Sequence, residues 1–371
     1  MTVNPINRKP RVLVVPLNWG LGHATRLIPL IRELKELDAE ILMGGGPDQI
    51  KILKQEFQDL KVLPLPFLKI RFSRFGSQIL KLGLQVPKIL ITILREHFAL
   101  RSLIRCENLD AVISDNCFGL WNKSVFSIFI THQLWIRLPG RIRWLEKTIN
   151  RVNHWFINHY NLCWVPDYPG EHGYSGILSQ NLPAHPDIRY IGILSRFANM
   201  SDQPAPKEST NKNVLVILSG PEKQRSQFEN RIKEELADLP EGYSIKIIRG
   251  LPSDSRSLGE NWFNHVDART FYSLIRESDI VISRAGYSTI MDLLSLGKSA
   301  FLIPTPGQTE QEYLAKILSE KGFFRTISQS EFKWSDIINT PLPDIPKHIQ
   351  RENLLKGELV RFMELLVQRR R

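Results

Sequence analysis

Short apolar runs of strand length recur along this chain of 371 residues, and most are followed by a polar or glycine-containing turn and then by apolar residues at helical spacing. The first run, from Arg11 to Leu17, precedes a loop containing Gly20 and Gly22 and then a stretch with apolar residues three and four positions apart. Strands that alternate with helices in this way predict parallel sheets built from β-α-β units. We therefore expect an α/β protein.

A polar segment with two prolines interrupts this pattern between Ser195 and Asn213, and the pattern restarts after it. We interpret residues 196–212 as a linker between two Rossmann-like domains, residues 1–195 and residues 213–371. Further strands are predicted in both domains. They cover residues 40–43, 110–114, 126–131, 161–165, 214–218, 244–248, 280–283 and 300–303.

The chain is basic, with 49 Lys and Arg residues against 38 Asp and Glu residues and a formal net charge of +11. This excess favours anionic partners such as nucleic acid, acidic lipid or sugar nucleotides. Nucleic acid has the least support, because the sequence contains no RRM, KH or zinc-finger signature and its glycines lie at strand ends. We therefore expect no nucleic-acid partner.

Cysteine usage and hydropathy bear on the cellular compartment. The three cysteines, Cys106, Cys117 and Cys163, form no C-x-x-C pair, and their odd number argues against a disulfide framework. No run approaches the ~20 apolar residues of a membrane-spanning helix. The first residues do not read as a secretory signal. These features favour a cytoplasmic protein that meets a membrane, if at all, at its surface.

The segment from Ser283 to Leu294 has several features of a phosphate site. It follows an apolar strand and places Gly286, Ser288 and Thr289 at a predicted helix N-terminus. The free N–H groups and the dipole of such a terminus bind anions, so a diphosphate would fit there without a metal. The alternative is an ordinary turn, in which Gly286 and Ser288 merely cap the helix.

Two further features extend this site. Asp292 lies about one turn into the predicted helix and on the face of Ser288, where its carboxylate can accept hydrogen bonds from a ribose diol. The next apolar strand leads to a loop whose polar side chains can hold sugar hydroxyls. These side chains are Gln308, Gln311 and Glu312.

The succession of strand, Ser-Arg-Ala-Gly-x-Ser-Thr motif, carboxylate, second strand and Gln-rich loop resembles the MurG-type glycosyltransferases over residues 263–322. The resemblance implies a GT-B fold, in which two Rossmann-like domains face each other across a cleft and the last helix crosses back to the first domain. It also implies transfer of an N-acetylhexosamine or hexose from a UDP-sugar to a cell-envelope or lipid-linked acceptor. The reaction would invert the anomeric centre and use neither a metal nor another cofactor.

The same resemblance implies roles for individual residues. They are Arg284, Gly286, Ser288 and Thr289 at the diphosphate, Asp292 at the ribose, Gln308, Gln311 and Glu312 at the donor sugar, and residues 265–271 beside the base. The family usually has glutamate at the ribose position, so the shorter aspartate leaves the nucleotide open. Gly220 and Arg225, in the loop after Leu218, are candidates for a second diphosphate contact.

The first glycine loop ends in His23, as in the family pattern, and we predict that Gly20 and Gly22 lie near the acceptor or a phosphate. The NAD-binding fingerprint is incomplete, because Thr25 stands where its third glycine is expected. An imidazole can take a proton from an acceptor hydroxyl near neutral pH. We predict His23 as that base or as a contact to an acceptor phosphate, and Asp115 as its partner or as an acceptor ligand. The alternative is that both residues cap helices.

Metal-dependent transfer has no support, because the chain contains no Asp-x-Asp motif. We therefore predict no metal site, with the charge of the leaving group met by helix N-termini and cationic side chains. A second class of enzyme stays open. A GT-B-fold sugar-nucleotide epimerase or hydrolase would bind the same donor without a separate acceptor.

The stretch from Phe67 to Arg105 combines basic and apolar residues, and Glu96 is its single acidic residue. Its cations are Lys69, Arg71, Arg74, Lys81, Lys88, Arg95, Arg101 and Arg105. Such a segment can lie in the headgroup region of an anionic bilayer. The alternative is a helix packed on the core with a solvated basic rim. An anionic membrane surface is thus a candidate partner, which would give a peripheral location on the inner face of the cytoplasmic membrane.

Overall fold

The computed structural model describes residues 8–67, 83, 85–180, 187–198, 200, 211–345 and 354–370. Most of the predicted linker lies outside these residues. So does the part of the basic stretch that contains Lys69, Arg71, Arg74 and Lys81. Within the described residues, the chain forms two parallel sheets, one in each half.

The first sheet has seven strands: β1 (Arg11–Pro16), β2 (Glu40–Met43), β3 (Lys61–Val62), β4 (Ala111–Asp115), β5 (Phe126–Ile130), β6 (Leu162–Val165) and β7 (Ile188–Tyr190). They are parallel and lie in the order β3-β2-β1-β4-β5-β6-β7. The helices described here are α1 (Gly22–Glu36), α2 (Pro47–Glu56), α3 (Val86–Glu107), α4 (Glu146–Ile157) and α5 (Ile177–Gln180). Short 3-10 helices cover Gly140–Leu145 and Gly170–His172.

The second sheet has six strands: β8 (Lys212–Ile217), β9 (Tyr243–Ile248), β10 (Trp262–Phe263), β11 (Ile280–Ser283), β12 (Phe301–Leu302) and β13 (Arg325–Thr326). They are parallel and lie in the order β10-β9-β8-β11-β12-β13. The helices described here are α6 (Gln224–Glu235), α7 (Ala268–Glu277), α8 (Tyr287–Ser295), α9 (Thr309–Glu320), α10 (Trp334–Asn339) and α11 (Leu354–Arg370). Short 3-10 helices cover Leu236–Asp238 and Gln329–Glu331.

The central strands are buried on both faces, which explains why they read as continuous apolar runs. In β1, Val12 and Val14 pack with residues of α1 on one face of the sheet. Leu13 and Val15 point to the other face and pack with Leu100 of α3. Side chains of β8 alternate between two core clusters in the same way. Helices therefore cover both faces of each sheet and leave the ends of the strands for ligands.

The last helix, α11, packs on the first domain. Its buried apolar residues in the core of the first sheet are Leu355, Leu359, Phe362 and Leu366. The Phe362 ring centroid lies 5.7 Å from those of Phe126 and Trp164. At the end of the helix, Arg370 donates to the Asp110 carboxylate at 2.9 Å. The chain thus returns to its first domain after completing the second sheet.

The predicted α/β architecture is confirmed, and each predicted strand corresponds to an observed one within two residues at either end. The sequence patterns missed β3, β7, β10 and β13, which are the edge strands of the two sheets and have only two or three residues each. An edge strand buries less apolar surface than a central one, and both residues of β3 are exposed. The predicted domain limits at residues 195 and 213 stay a prediction.

Candidate functional site

The strand order of each sheet reverses at its centre, between β1 and β4 in the first sheet and between β8 and β11 in the second. Ligands of open parallel sheets bind at the carboxyl ends of the strands beside such a point. In this chain the reversal points of the two sheets lie opposite each other. The start of α1 contacts the start of α8, where the Ser288 hydroxyl donates to the Gly22 carbonyl at 2.9 Å. The space between the two sheet edges is therefore the candidate active-site cleft.

The structure brings His23 and Asp115 together in this cleft. Asp115 ends β4 with a fully buried side chain, and its Oδ1 lies 3.1 Å from Nδ1 of His23, whose side chain is 18% exposed. Burial raises the pKa of the Asp115 carboxyl, but the charges of Arg26 and His23 and their hydrogen bonds outweigh burial and lower the pKa to about 2. Asp115 is therefore a carboxylate at neutral pH.

Arg26 binds both oxygens of this carboxylate. Its Nε donates to Oδ2 at 2.7 Å, and its Nη2 donates to Oδ1. Nη2 also lies 2.9 Å from Nδ1 of His23. Because a guanidinium group can only donate, Nδ1 either accepts from Arg26 or, as Nδ1–H, donates to Asp115. The second of these tautomers leaves Nε2 of His23 as the nitrogen that can accept a proton.

The second domain borders the cleft with the turns after β8, β11 and β12. Gly286 precedes α8 with φ of −75° and ψ of 135°, and a Cβ atom at this position would meet no atom within 4 Å. Gly220 has a φ of +98°, and Thr305, which lies beside it, has a buried hydroxyl oxygen without a partner among the described residues. Thr289 lies half-buried in the first turn of α8. Free space before a helix N-terminus suits an anionic ligand.

Two arginines predicted to contact a diphosphate are engaged elsewhere. Arg284 is fully buried, where it donates to backbone carbonyls and to Gln329 at 2.7 Å, and burial lowers its pKa to about 9. Arg225 forms ion pairs with Glu222 at 2.7 Å and with Glu229. Both guanidinium groups stabilise the turns of their own domain. Their contacts with a diphosphate stay predictions, and the described residues contain no group of three or more metal-ligand side chains.

Asp292, the predicted ribose contact, is buried beside the start of the linker. Its Oδ1 accepts from the Ser195 hydroxyl at 2.7 Å, and its Oδ2 accepts from Nε of Arg196 at 2.9 Å. Burial raises the pKa of this carboxyl, and Arg196 and Ser195 partly oppose the effect. Both oxygens have donors and the residue is only 2% exposed, so a ribose could reach this carboxylate only if Arg196 or Ser195 moved. The ribose contact stays a prediction.

The polar residues predicted at the donor sugar bond to their own loop. Gln311 accepts from the backbone N–H of Thr305 at 2.9 Å and donates to Gln308 at 2.7 Å. Glu312 accepts from the backbone N–H of Gly307 at 2.8 Å. These bonds fix the loop that leads into α9. Their contacts with a sugar stay predictions.

Three residues without a predicted role also lie at the cleft. His132 follows β5, and its Nδ1 lies 3.0 Å from Nη1 of Arg26 while its Nε2 lies 2.7 Å from Oε1 of Glu310. The Tyr287 ring stacks on His132 with 3.8 Å between centroids. His132 could have been found, because it directly follows a predicted strand and the carboxyl ends of parallel strands share one edge. Tyr287 and Glu310 come from the other domain, and no local pattern pairs them with His132.

Comparison with known proteins identifies relatives of this chain. The family model of the glycosyltransferase family 28 C-terminal domain matches residues 214–356. An uncharacterized glycosyltransferase of Methanosarcina mazei is 41% identical over 337 residues, which cover 86% of each chain. The UDP-N-acetylglucosamine--N-acetylmuramyl-(pentapeptide) pyrophosphoryl-undecaprenol N-acetylglucosamine transferase of Haemophilus influenzae (strain PittEE) is 32% identical over 372 aligned positions, which cover 95% of this chain and 93% of the relative.

Solved structures have the same architecture. The crystal structure of the glycotransferase of kitacinnamycin matches with a TM-score of 0.59 at 15% identity and covers 98% of this chain and 96% of that one. At this identity the likeness establishes the fold, and it confirms the predicted GT-B arrangement. The sequence relatives establish more, because their identity extends over most of both chains. The chain therefore belongs to the MurG-like glycosyltransferases with a family 28 C-terminal domain.

Proposed function

We propose that this glycosyltransferase moves a sugar from a nucleotide diphosphate to an acceptor hydroxyl, with inversion and without a metal. One observation carries the proposal: the His23–Asp115 pair of the first domain lies in the same cleft as the N-terminus of α8, and the Ser288–Gly22 hydrogen bond joins the two sides. The pair supplies a base for the acceptor, and the helix terminus supplies an anion site for the leaving diphosphate.

The chemical step follows from these positions. Nε2 of His23 takes the proton of the acceptor hydroxyl while the acceptor oxygen bonds to the anomeric carbon and the bond to the diphosphate breaks on the opposite face. A single displacement of this kind inverts the anomeric centre. The Asp115 carboxylate accepts from Nδ1–H and stabilises the imidazolium that forms. The negative charge of the diphosphate meets the N–H groups that begin α8 and the hydroxyl of Thr289, while the Ser288 hydroxyl keeps its bond to the Gly22 carbonyl.

The substrates are proposed from the Haemophilus relative, whose name gives UDP-N-acetylglucosamine as donor and a pyrophosphoryl-undecaprenol compound as acceptor. By analogy, the donor here is a UDP-sugar with an N-acetylhexosamine or a hexose. The acceptor is a cell-envelope or lipid-linked glycan. Asp292 would then bind the ribose after Arg196 moves. The loop with Gln308, Gln311 and Glu312 would hold the sugar.

A transfer assay tests this function. The chain is incubated in EDTA with UDP-, GDP- and dTDP-linked hexoses and N-acetylhexosamines, with and without a short-chain polyprenyl diphosphate sugar as acceptor. We expect UDP release that requires the acceptor, and a product whose anomeric configuration in NMR is opposite to that of the donor. UDP release without acceptor would support the hydrolase or epimerase alternative. A product that retains the donor configuration would refute the single displacement.

The Gly22–Ser288 contact gives a quantitative prediction. A Cβ atom at Gly22 would lie 2.7 Å from the Ser288 oxygen, so Gly22→Ala breaks the hydrogen bond between the domains. We expect kcat/KM to fall about 2- to 10-fold, the effect of one neutral hydrogen bond. In a Ser288→Ala background there is no oxygen to clash with and no hydrogen bond to lose, and only a 3.1 Å approach to the Cβ atom of residue 288 remains, so Gly22→Ala should cost less there. Steady-state kinetics of the four proteins measures this coupling, and equal losses in both backgrounds would contradict it.

The first domain also exposes an apolar surface that suits a lipid-linked acceptor. Leu90, Leu94 and Phe98 of α3 are 47%, 59% and 66% exposed, and their four-residue spacing places them on one side of the helix. No helix in the described part of the chain has the length and apolar character needed to cross a bilayer. The exposed apolar side of α3 supports contact with a membrane surface.

Aromatic rings continue this surface toward α4. Neighbouring ring centroids lie 4.3–6.3 Å apart along Phe98, His97, Trp121, His159 and Trp155. Exposed cations surround it, namely Lys88, Arg95, Arg101 and Arg105 of α3 and Lys147 and Arg151 of α4. Apolar groups among cations fit the headgroup region of an anionic bilayer. We propose that this surface, the α3–α4 surface, binds the inner face of the cytoplasmic membrane.

Vesicle binding tests the α3–α4 surface. The double variant Leu94→Ser/Phe98→Ser should bind phosphatidylglycerol-containing vesicles about 10- to 100-fold more weakly, because two apolar side chains no longer enter the bilayer. Leu258→Ser, at a 43% exposed leucine of the second domain, is the matched control and should bind like the original chain. Co-sedimentation measures both. Equal binding of the double variant would place the membrane contact elsewhere.

A further inference from the structure

His132 occupies a buried position where the two domains meet. It follows β5 of the first domain, and only 4% of the residue is exposed. Its two ring nitrogens contact oppositely charged partners, Arg26 of the first domain and Glu310 of α9 in the second. The face of its ring stacks on Tyr287 of the second domain, whose hydroxyl donates to the Pro166 carbonyl. Contacts on three sides thus fix the imidazole.

The partners determine which nitrogen of His132 carries the proton. Arg26 can only donate, so Nδ1, 3.0 Å from its Nη1, must accept. Nε2 then carries the hydrogen and donates to Oε1 of Glu310 at 2.7 Å. A neutral ring satisfies both contacts, whereas a protonated ring would present a donor to the guanidinium group. Burial lowers the pKa of His132, although the charge of Glu310 acts in the opposite direction, and this agrees with a neutral ring.

The contact with His132 holds the third side of the Arg26 guanidinium group. Nε and Nη2 of Arg26 bind the two oxygens of Asp115, and Nη1 binds His132. A continuous hydrogen-bonded chain therefore runs from Glu310 through His132, Arg26 and Asp115 to His23. Glu310 and Tyr287 belong to the second domain, so this chain is complete only when the two domains are closed on each other.

We propose that His132 is a positioning residue that couples closure of the two domains to the alignment of the His23–Asp115 pair. It touches neither reacting atom and acts through Arg26. Closure brings Glu310 onto Nε2–H, which fixes the ring so that Nδ1 faces Arg26 and the guanidinium group holds Asp115 in place. The inference rests on the proposed role of His23 as the base.

Three variants separate the contacts of His132. His132→Phe keeps a ring to stack on Tyr287 but makes neither hydrogen bond. His132→Asn places an amide oxygen near the position of Nδ1 and retains the contact to Arg26. His132→Gln places an amide nitrogen near the position of Nε2 and retains the contact to Glu310. His172→Phe, at an exposed histidine, is the matched control.

The expected effect lies in kcat. Loss of hydrogen bonds to two charged groups should lower kcat of His132→Phe about 10- to 100-fold, with KM for the donor within about 3-fold of the original. His132→Asn and His132→Gln should each recover part of the lost kcat. If all variants melt at similar temperatures, a merely structural role of His132 would not predict this recovery. His132→Phe with unchanged kcat, or variants whose loss follows their melting temperatures alone, would overturn the proposal.

The proposed function is tested separately in the same experiment. If the original chain transfers no sugar, the proposed function fails. Suppose that the original chain transfers sugar and His23→Ala does not. If all three His132 variants then keep full kcat, only the role of His132 is refuted. The polar variants keep the test decisive even if His132→Phe does not fold.

Discussion

Replacing His23 by alanine should lower kcat for sugar transfer about 10²- to 10⁴-fold, the usual contribution of a general base. Donor affinity should change little, because the anion site of the second domain does not include this side chain. The fold should tolerate the change, since the His23 side chain is 18% exposed and lies at the cleft surface. Steady-state kinetics together with calorimetric binding of the nucleoside diphosphate separates the two effects.

Two companion variants sharpen this prediction. His23→Gln can still donate to Asp115 but has no basic nitrogen, so it should be as inactive as His23→Ala. His172→Ala removes an exposed histidine far from the cleft in sequence and should retain full activity. If His23→Gln or His23→Ala transferred sugar at a rate within about 3-fold of the original, well under the contribution of a base, His23 would have no role as one.

The fold was predictable where burial of a strand requires a run of apolar residues in the sequence. Central strands such as β1 and β4 are buried on both faces and therefore contain runs of at least three consecutive apolar residues. The edge strands have no such apolar run. The two residues of β3 are Lys61 and Val62, and they join the sheet through backbone pairing with β2. Backbone hydrogen bonds are available to any sequence, so local pattern could not reveal this strand.

The site was predictable only within one segment at a time. His23 follows β1 and Asp115 ends β4, and the carboxyl ends of adjacent parallel strands share an edge, so their approach could be anticipated. Arg284 shows the limit of such reasoning. An arginine beside a glycine turn can face a phosphate or can bind carbonyls at the ends of its own strands, and the two cases have the same local sequence.

Contacts between the domains were beyond sequence patterns for a different reason. Glu310 and His132 are separated by 178 positions, and their approach depends on how the two sheets face each other. Neither the spacing of apolar residues nor a glycine turn indicates how the two sheets face each other. The same holds for Asp292, whose partners Ser195 and Arg196 lie at the start of the predicted linker by sequence but meet α8 in space. Local sequence patterns therefore do not reveal the protein partners of residues at such junctions.

Arg26→Met should be the most destabilising change at the cleft. It replaces a buried guanidinium group by an apolar side chain of similar length and leaves the fully buried Asp115 carboxylate with His23 as its remaining partner. Removing one partner of a buried ion pair costs about 3–5 kcal/mol of unfolding free energy at neutral pH. Arg26→Met/Asp115→Asn removes both charges and should recover a large part of this loss.

The pH dependence of the stability loss in Arg26→Met shows whether the charge of Arg26 causes that loss. In the original chain the pKa of Asp115 is about 2, below the ~3.9 of an unfolded carboxyl, so its stabilising contribution is present above about pH 4 and is lost as the pH falls toward 2. In Arg26→Met burial is no longer offset by the guanidinium charge, so the folded pKa rises and stability falls as the pH increases through it. The loss caused by Arg26→Met should therefore be larger at pH 7 than at pH 4.5 in urea unfolding. An equal loss at both pH values, without recovery in the double variant, would mean that Arg26 stabilises the cleft through packing alone.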